Sequence, residues 1–272
     1  MSSNLDKREI RAPFDNRVLG EVSLTDSGLA EKALSTATDL HQSKTKPTLA
    51  ERIEILRRVV GLMSKNKEKL ALQAANEGGK PLIDSLVEIE RGIDGIEVCI
   101  EVLRGEQGHV IPMRVTPSSA NRLAFTQSFP AGPVMAVSAF NHPFNLIVHQ
   151  CIPAIAVGCP VIVKPAEATP MSAHSISNML TEAGLPKGWC QVVNTTDLTV
   201  ASKLVTDPRI SFFSFIGSGA VGWRLRSQLA PGTRCGLEHG GVAPVIIEPD
   251  ADKERVVQSI TKGGFYHAGQ VC

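Results

Sequence analysis

The chain reads as an α/β protein built on a doubly wound parallel sheet, with a helical region ahead of the sheet and a protruding β-hairpin between the two. Three observations predict this. After Pro130, short apolar runs alternate with helix-length segments, the order expected of parallel β/α winding. Those runs lack polar alternation, as strands buried on both faces require. A glycine pattern, Gly217-Ser218-Gly219-Ala220-Val221-Gly222, follows one run and opens a helix-length stretch.

The helical region comes first. Leu49, Ile53, Leu56, Val60 and Met63 recur at the spacing of one helix face, with Arg52, Glu54, Arg57 and Arg58 on the remainder. Gly78-Gly79 followed by Pro81 reads as its stop signal. A second amphipathic run follows at Leu82, Leu86, Ile89, Ile93, Ile96, Ile100 and Leu103. The Thr- and Ser-rich stretch near residues 105–130 is expected to form the hairpin. Strands are expected at 134–139, 160–163, 191–193, 211–215 and 245–247, with helices at 145–157, 172–183, 199–205 and 220–229.

Composition limits the partners. Of 272 residues, 28 are Lys or Arg and 27 are Asp or Glu, a net charge of +1, so nucleic acid is not the expected partner. Residues 123–163 carry no Asp, Glu, Lys or Arg, yet five prolines interrupt them and Asn141, His142, Asn145 and His149 lie among them. That is buried core and not a membrane span. The first residues show neither an apolar signal region nor transit-peptide character, which suggests the cytoplasm. Six cysteines without a Cys-x-x-Cys pair argue against a disulfide framework or a thiol-rich zinc site.

In a doubly wound sheet, ligands bind beyond the carboxyl ends of the strands, so the segments there are where chemistry is expected. Gly217 to Gly222 fit the dinucleotide fingerprint, in which small residues let a phosphate reach backbone N–H groups at a helix start; a plain strand-to-helix turn is the alternative. That fingerprint wants an acidic residue about 20 positions on. Glu238 is near that distance, but it precedes the expected strand at 245–247, so the simple assignment fails in detail. Lys164 and Glu167, after the expected strand at 160–163, make a better ribose pair, and a carboxylate there favours NAD over NADP; a surface ion pair remains open.

Asn141 could donate to a developing oxyanion or simply close an Asx turn. His142, His149 and His239 have no metal spacing, so no metal is expected. Cys272, after Gly269-Gln270-Val271, could attack an aldehyde carbonyl as the thiolate, with Glu238 best placed in sequence to activate water; a buried structural thiol is the alternative.

Taken together, Phe140-Asn141-His142-Pro143, Lys164-Pro165-Ala166-Glu167, Phe215-Ile216-Gly217-Ser218, Leu237-Glu238-His239-Gly240-Gly241 and Gly269-Gln270-Val271-Cys272 resemble the NAD(P)-dependent aldehyde dehydrogenase superfamily, in the same order and with similar separations. The resemblance implies Cys272 as nucleophile, Glu238 as the base for deacylation, and Asn141 with the Cys272 N–H as the oxyanion hole. It implies adenosine-ribose contacts from Lys164 and Glu167 and a pyrophosphate turn at Gly217 and Ser218, with Gly222 in helix packing. Phe140, Ala166 and His239 fall in the same cofactor-binding segments. His142, His239, Val242 and His267 depart from the usual pattern, and the Phe-Asn-His-Pro version resembles the branch with lactaldehyde, phosphonoacetaldehyde and non-phosphorylating glyceraldehyde-phosphate dehydrogenases.

The expected reaction is oxidation of a small aldehyde to an acid with NAD. Family members continue well past the nucleophile, so the chain resembles an N-terminal fragment: an NAD-binding domain over residues 1–240 and the truncated start of a catalytic domain over 241–272. On that reading the complete protein is a homo-oligomer. The isolated chain is expected to be inactive, because a terminal carboxylate on Cys272 would raise its thiol pKa. A CoA-acylating enzyme, disfavoured by Glu238, and a non-catalytic remnant that retains NAD binding are the alternatives.

Overall fold

In a computed structural model that describes residues 6–106 and 108–271, strands β1 (Lys7–Arg11) and β2 (Val18–Ser23) open the chain as an antiparallel hairpin. The helical region is α1 (Ser27–Gln42), α2 (Leu49–Lys65), α3 (Lys67–Gly78) and α4 (Leu82–Gly105). Thr48 and Glu51 form a reciprocal capping box that starts α2.

The expected first helix is two helices. The break falls at Asn66, whose side-chain amide and backbone N–H both donate to Leu62 O, so Gly78-Gly79 stops α3 and not α2. Gly79 takes the left-handed conformation, and a Cβ there would come within 2.5 Å of Pro13 Cγ, so the hairpin packs against a position only glycine fits. The buried stripe of α2 is Ile55, Leu56, Val59 and Met63, rotated slightly from the expected one, while α4 buries Ile89, Ile96, Ile100 and Leu103 as its periodicity predicts. Strands β3 (Val110–Ile111) and β4 (Ala124–Phe125) pair antiparallel as the expected hairpin.

The rest winds as β5 (Val134–Val137), α5 (Asn145–Val157), β6 (Val161–Lys164), α6 (Met171–Glu182), β7 (Cys190–Val192), α7 (Leu198–Thr206), β8 (Phe212–Gly217), α8 (Gly219–Arg226), β9 (Arg234–His239) and α9 (Lys253–Phe265). The sheet order is β7-β6-β5-β8-β9, all parallel. Winding runs outward from β5 to β7 and then returns to β8 on the other side of β5. This reversal leaves a crevice between β5 and β8 at their carboxyl ends. Side chains alternate across the sheet: Val134, Ala136, Val161 and Val163 enter the core shared with α2 to α6, whereas Met135, Ile162, Phe213 and Phe215 face α1, α7 and α8.

One expected strand does not form. Val245, Ile246 and Ile247 are 67%, 85% and 53% exposed, in a segment without regular structure between Pro244 and Pro249. β-branched residues alone do not make a strand where no neighbouring edge supplies backbone partners. The fifth strand is β9, in register with β8 from Phe212↔Arg234 to Gly217↔His239. Glu238 therefore lies within a strand, near its carboxyl end, and does not precede one. Beyond it, α9 buries none of its residues. Among the described residues, no helix is long and apolar enough to cross a membrane.

Candidate active site

The crevice opens into a cavity of about 1590 Å³ whose wall includes Phe140, Asn141, Gly217, Ser218, Glu238 and Val271. Asn141 follows β5, Gly217 ends β8 and Glu238 lies in β9, so three adjacent strands contribute their carboxyl ends. Gln150, on α5, ties two of them together, donating to Val137 O at 3.1 Å and to Ser214 Oγ at 3.0 Å.

The contact that joins the distant parts is made by Asn141. Its Nδ2 donates to Gln270 O at 2.8 Å, across 129 residues of sequence. Gln270 Nε2 in turn donates to Gly78 O at 3.3 Å, tying the end of the described chain to α3. A primary amide has two N–H groups, so one fixes the orientation of Asn141 and the second remains for an incoming oxygen. Cys272 lies outside the described residues; its neighbour Val271 is on the cavity wall.

The tail arrives under strain. His267 and Ala268 hold φ of 50° and 56°, a conformation that side-chain-bearing residues rarely adopt. It is held because His267 N donates to Asp84 Oδ2 at 3.1 Å and the buried ring lies 3.8 Å from the His142 ring and 4.3 Å from Tyr266. Burial, aided by His142 and Lys80, pushes the His267 pKa down to about 4, so this imidazole is neutral at physiological pH. Burial likewise lowers the pKa of His142.

The Asn141 loop is fixed from beneath. Glu88, on α4, accepts Phe144 N at 2.8 Å and Asn145 N at 2.9 Å at the start of α5, and it is ion-paired with Lys80; both side chains are buried. Sequence reading missed Asp84, Glu88 and Lys80. A signal existed, because Glu88 falls on the apolar face of α4 between Ser85 and Gly92, where a charge requires a buried partner.

The cofactor candidates divide into two groups. Ser218 caps α8 without a side-chain bond, leaving the N–H groups of the first turn free for an anion, which suits a pyrophosphate. His239 borders the same cavity and packs its ring edge-on to Phe215 and Trp223. Gly222 does not face the cavity: a Cβ there would come within 2.4 Å of His239 Nε2 and 2.9 Å of Phe215, so it permits close packing of α8 on the sheet.

Lys164, Ala166 and Glu167 sit at the end of β6, outside that cavity. Burial lowers the Lys164 pKa, opposed by Glu167 and reinforced by Arg8. Glu167 is not free: Arg8 Nη1 donates to its Oε2 at 2.7 Å. Among the described residues, no group of three His, Cys, Asp or Glu is placed to hold a metal ion.

Winding order and the reversal crevice define a doubly wound α/β unit, a class of fold in which ligands bind at the switch point. A profile of the aldehyde dehydrogenase family matches residues 1–272, and the chain belongs to that family. It is 34% identical over 267 residues to the 3-sulfolactaldehyde dehydrogenase of Priestia aryabhattai, covering 98% of this chain and 55% of that relative. Its structure is similar to aldehyde dehydrogenase 21 from Physcomitrella patens in complex with the reaction product succinate (TM-score 0.91, 30% identity, 100% of this chain and 56% of that one). It is also similar to the NADP-dependent glyceraldehyde-3-phosphate dehydrogenase from Bacillus halodurans C-125 complexed with NADP (TM-score 0.91, 27% identity, 98% and 56%). The chain spans about half the length of the curated relatives it matches.

Proposed function

We propose that the complete protein oxidises a small aldehyde to the carboxylic acid, passing hydride to a nicotinamide dinucleotide, and that residues 1–240 form its cofactor domain and 241–272 the start of its catalytic domain. The observation that carries this reading is the Asn141–Gln270 hydrogen bond, with Val271, the residue before Cys272 in sequence, on the wall of the same cavity. Cys272 attacks the carbonyl carbon as the thiolate, while the remaining Asn141 N–H and the Cys272 backbone N–H stabilise the oxyanion. The dinucleotide, when bound, accepts the hydride. Glu238 then removes a proton from the water that hydrolyses the thioester on Cys272. A small-aldehyde substrate agrees with relatives named for 3-sulfolactaldehyde and crystallised with succinate.

Glu167 favours NAD over NADP, because a carboxylate accepts from a free ribose hydroxyl and repels a 2′-phosphate. On this reading the complete protein is a homo-oligomer. The test is Cys272→Ser in the full-length protein: aldehyde-dependent reduction of the cofactor is abolished while dinucleotide affinity stays within about threefold, a change of less than 1 kcal/mol. Equal loss of both would make the cysteine structural. Product formation that requires CoA would replace water by CoA as acyl acceptor.

A further inference from the structure

Asn141 and the segment that leads to Cys272 are both held by one helix. Asp84 and Glu88 lie four residues apart on α4, so they project from the same face about one turn apart. Asp84 Oδ2 accepts His267 N at 3.1 Å, a few residues before the end of the chain. Glu88 Oε1 accepts Phe144 N and Asn145 N, just past Asn141. Lys80, in the turn between α3 and α4, pairs with Glu88; burial lowers its pKa, opposed by Glu88, Asp84 and Glu77. A single buried cation therefore answers the carboxylates that hold both segments.

These contacts close a circuit. It runs from α4 through Asp84 to His267, along the chain to Gln270, across the 2.8 Å bond from Asn141 Nδ2 to Gln270 O, and back through residues 142–145 to Glu88. Two cross-ties stiffen it. The rings of His142 and His267 lie 3.8 Å apart, and Gln270 Nε2 donates to Gly78 O at 3.3 Å. The helix itself is anchored by Ile89, Ile96 and Ile100 in the core. Neither Asp84 nor Glu88 lines the cavity, so any influence on a reaction there passes through the segments they hold.

Donors stabilise an oxyanion only when they stand about 2.7–3.1 Å from where the charge develops, and a displacement of about 1 Å costs about a hundredfold in rate. In the mechanism proposed above, one donor is the free Asn141 N–H and the other is the backbone N–H of Cys272. They come from opposite arms of the circuit, so their separation depends on both arms and on the helix between them.

We propose that Asp84 and Glu88 are positioning residues for the reaction, together setting the distance between the Asn141 amide and the segment that bears the nucleophile. The proposal rests on the reading of aldehyde oxidation through Cys272 given above.

The experiment measures the first turnover of NAD or NADP reduction by stopped flow, with steady-state kcat and KM, in the full-length protein, using propionaldehyde and 3-sulfolactaldehyde as probes. The variants are Asp84→Ala, Asp84→Asn, Glu88→Asp and the double variant Asp84→Ala/Glu88→Asp, each checked by thermal melting and by calorimetric titration with the dinucleotide. Asp84→Ala slows the first turnover and lowers kcat by about tenfold or more, while KM and dinucleotide affinity stay within about threefold. Asp84→Asn, whose amide oxygen still accepts from His267 N, recovers most of that loss. Glu88→Asp keeps the charge beside Lys80 but shortens the arm by one methylene, and it slows the first turnover to a similar degree. One open link releases the whole circuit, so the double variant loses no more than about the larger single loss.

An unchanged first turnover in Asp84→Ala, an Asp84→Asn as slow as Asp84→Ala, losses that multiply in the double variant, or equal loss of rate and dinucleotide affinity overturns the proposal and leaves aldehyde oxidation standing. If the wild type reduces neither cofactor with either aldehyde, the reading of the reaction fails and the proposal fails with it. If Glu88→Asp does not fold, the two Asp84 variants still decide.

Discussion

Two carboxylates of the helical layer do the same work at neighbouring helices under different electrical conditions. Glu88 receives the first N–H groups of α5; Glu77, at the end of α3, receives Met171 N at 2.8 Å, Ser172 N at 3.0 Å and the Ser172 hydroxyl at the start of α6. Neither helix has a local side-chain cap, so each start depends on a glutamate from another helix to satisfy its donors and answer its dipole. Glu88 has Lys80 beside it. Among the described residues no salt bridge accompanies Glu77, and burial raises its carboxyl to about 7. The helix that carries the Asn141 loop thus starts at a charge-compensated carboxylate, and its neighbour at one that titrates near neutrality.

The largest expected effect tests the compensated side. Lys80→Met leaves Glu88 buried without its cation and costs about 3–5 kcal/mol in urea unfolding, much of it recovered in Lys80→Met/Glu88→Gln. A cost no greater than that of a surface substitution would mean that Lys80 is not compensating Glu88.

The second tests the other side by pH. A carboxyl with a folded pKa near 7 and an ordinary value of 4.5 keeps its proton in the folded state where the unfolded chain has lost it. Its contribution is complete below 4.5 and is lost as pH rises through about 7. Glu77→Gln flattens that fall, so wild type and variant diverge by about 3 kcal/mol between pH 4.5 and 8, the variant being favoured at the alkaline end. Parallel stability curves would sink the contrast between the two glutamates.

The smallest effect is local. Asp84→Ala removes the bond to His267 N and loosens residues 266–271 by about 1 kcal/mol, read as faster amide exchange there with little change in global stability. Unchanged exchange would show that ring packing of His267 alone holds the tail.

What the sequence revealed follows from how each element is stabilised. Strands β5 and β6 are buried along nearly their whole length, β7 and β8 are partly buried, and their mostly apolar runs stand out. β9 is an edge strand carrying Arg234, Glu238 and His239, a composition an edge tolerates and a search for apolar runs passes over. The β1–β2 hairpin escaped for the same reason, since Lys7, Arg8, Glu9 and Arg11 surround its one buried position, Ile10, in the first strand. At the site, the order of the motifs anticipated that Asn141, Gly217 and Glu238 would border one cavity. The pairing of Glu167 with Arg8 was not legible, because a surface ion pair between residues 159 apart leaves no local pattern. Glu88 left one: a charge in the apolar phase of α4.

The sheet order also bears on synthesis. Strand β5 is central, yet it is the first of the five to leave the ribosome. One side finds β6 as soon as α5 has formed, whereas the other waits for β8, made only after α6, β7 and α7. Throughout that interval the nascent chain offers Val134–Val137 as an unpaired apolar edge to any second copy nearby, which makes this short segment the place where polysome crowding does most harm.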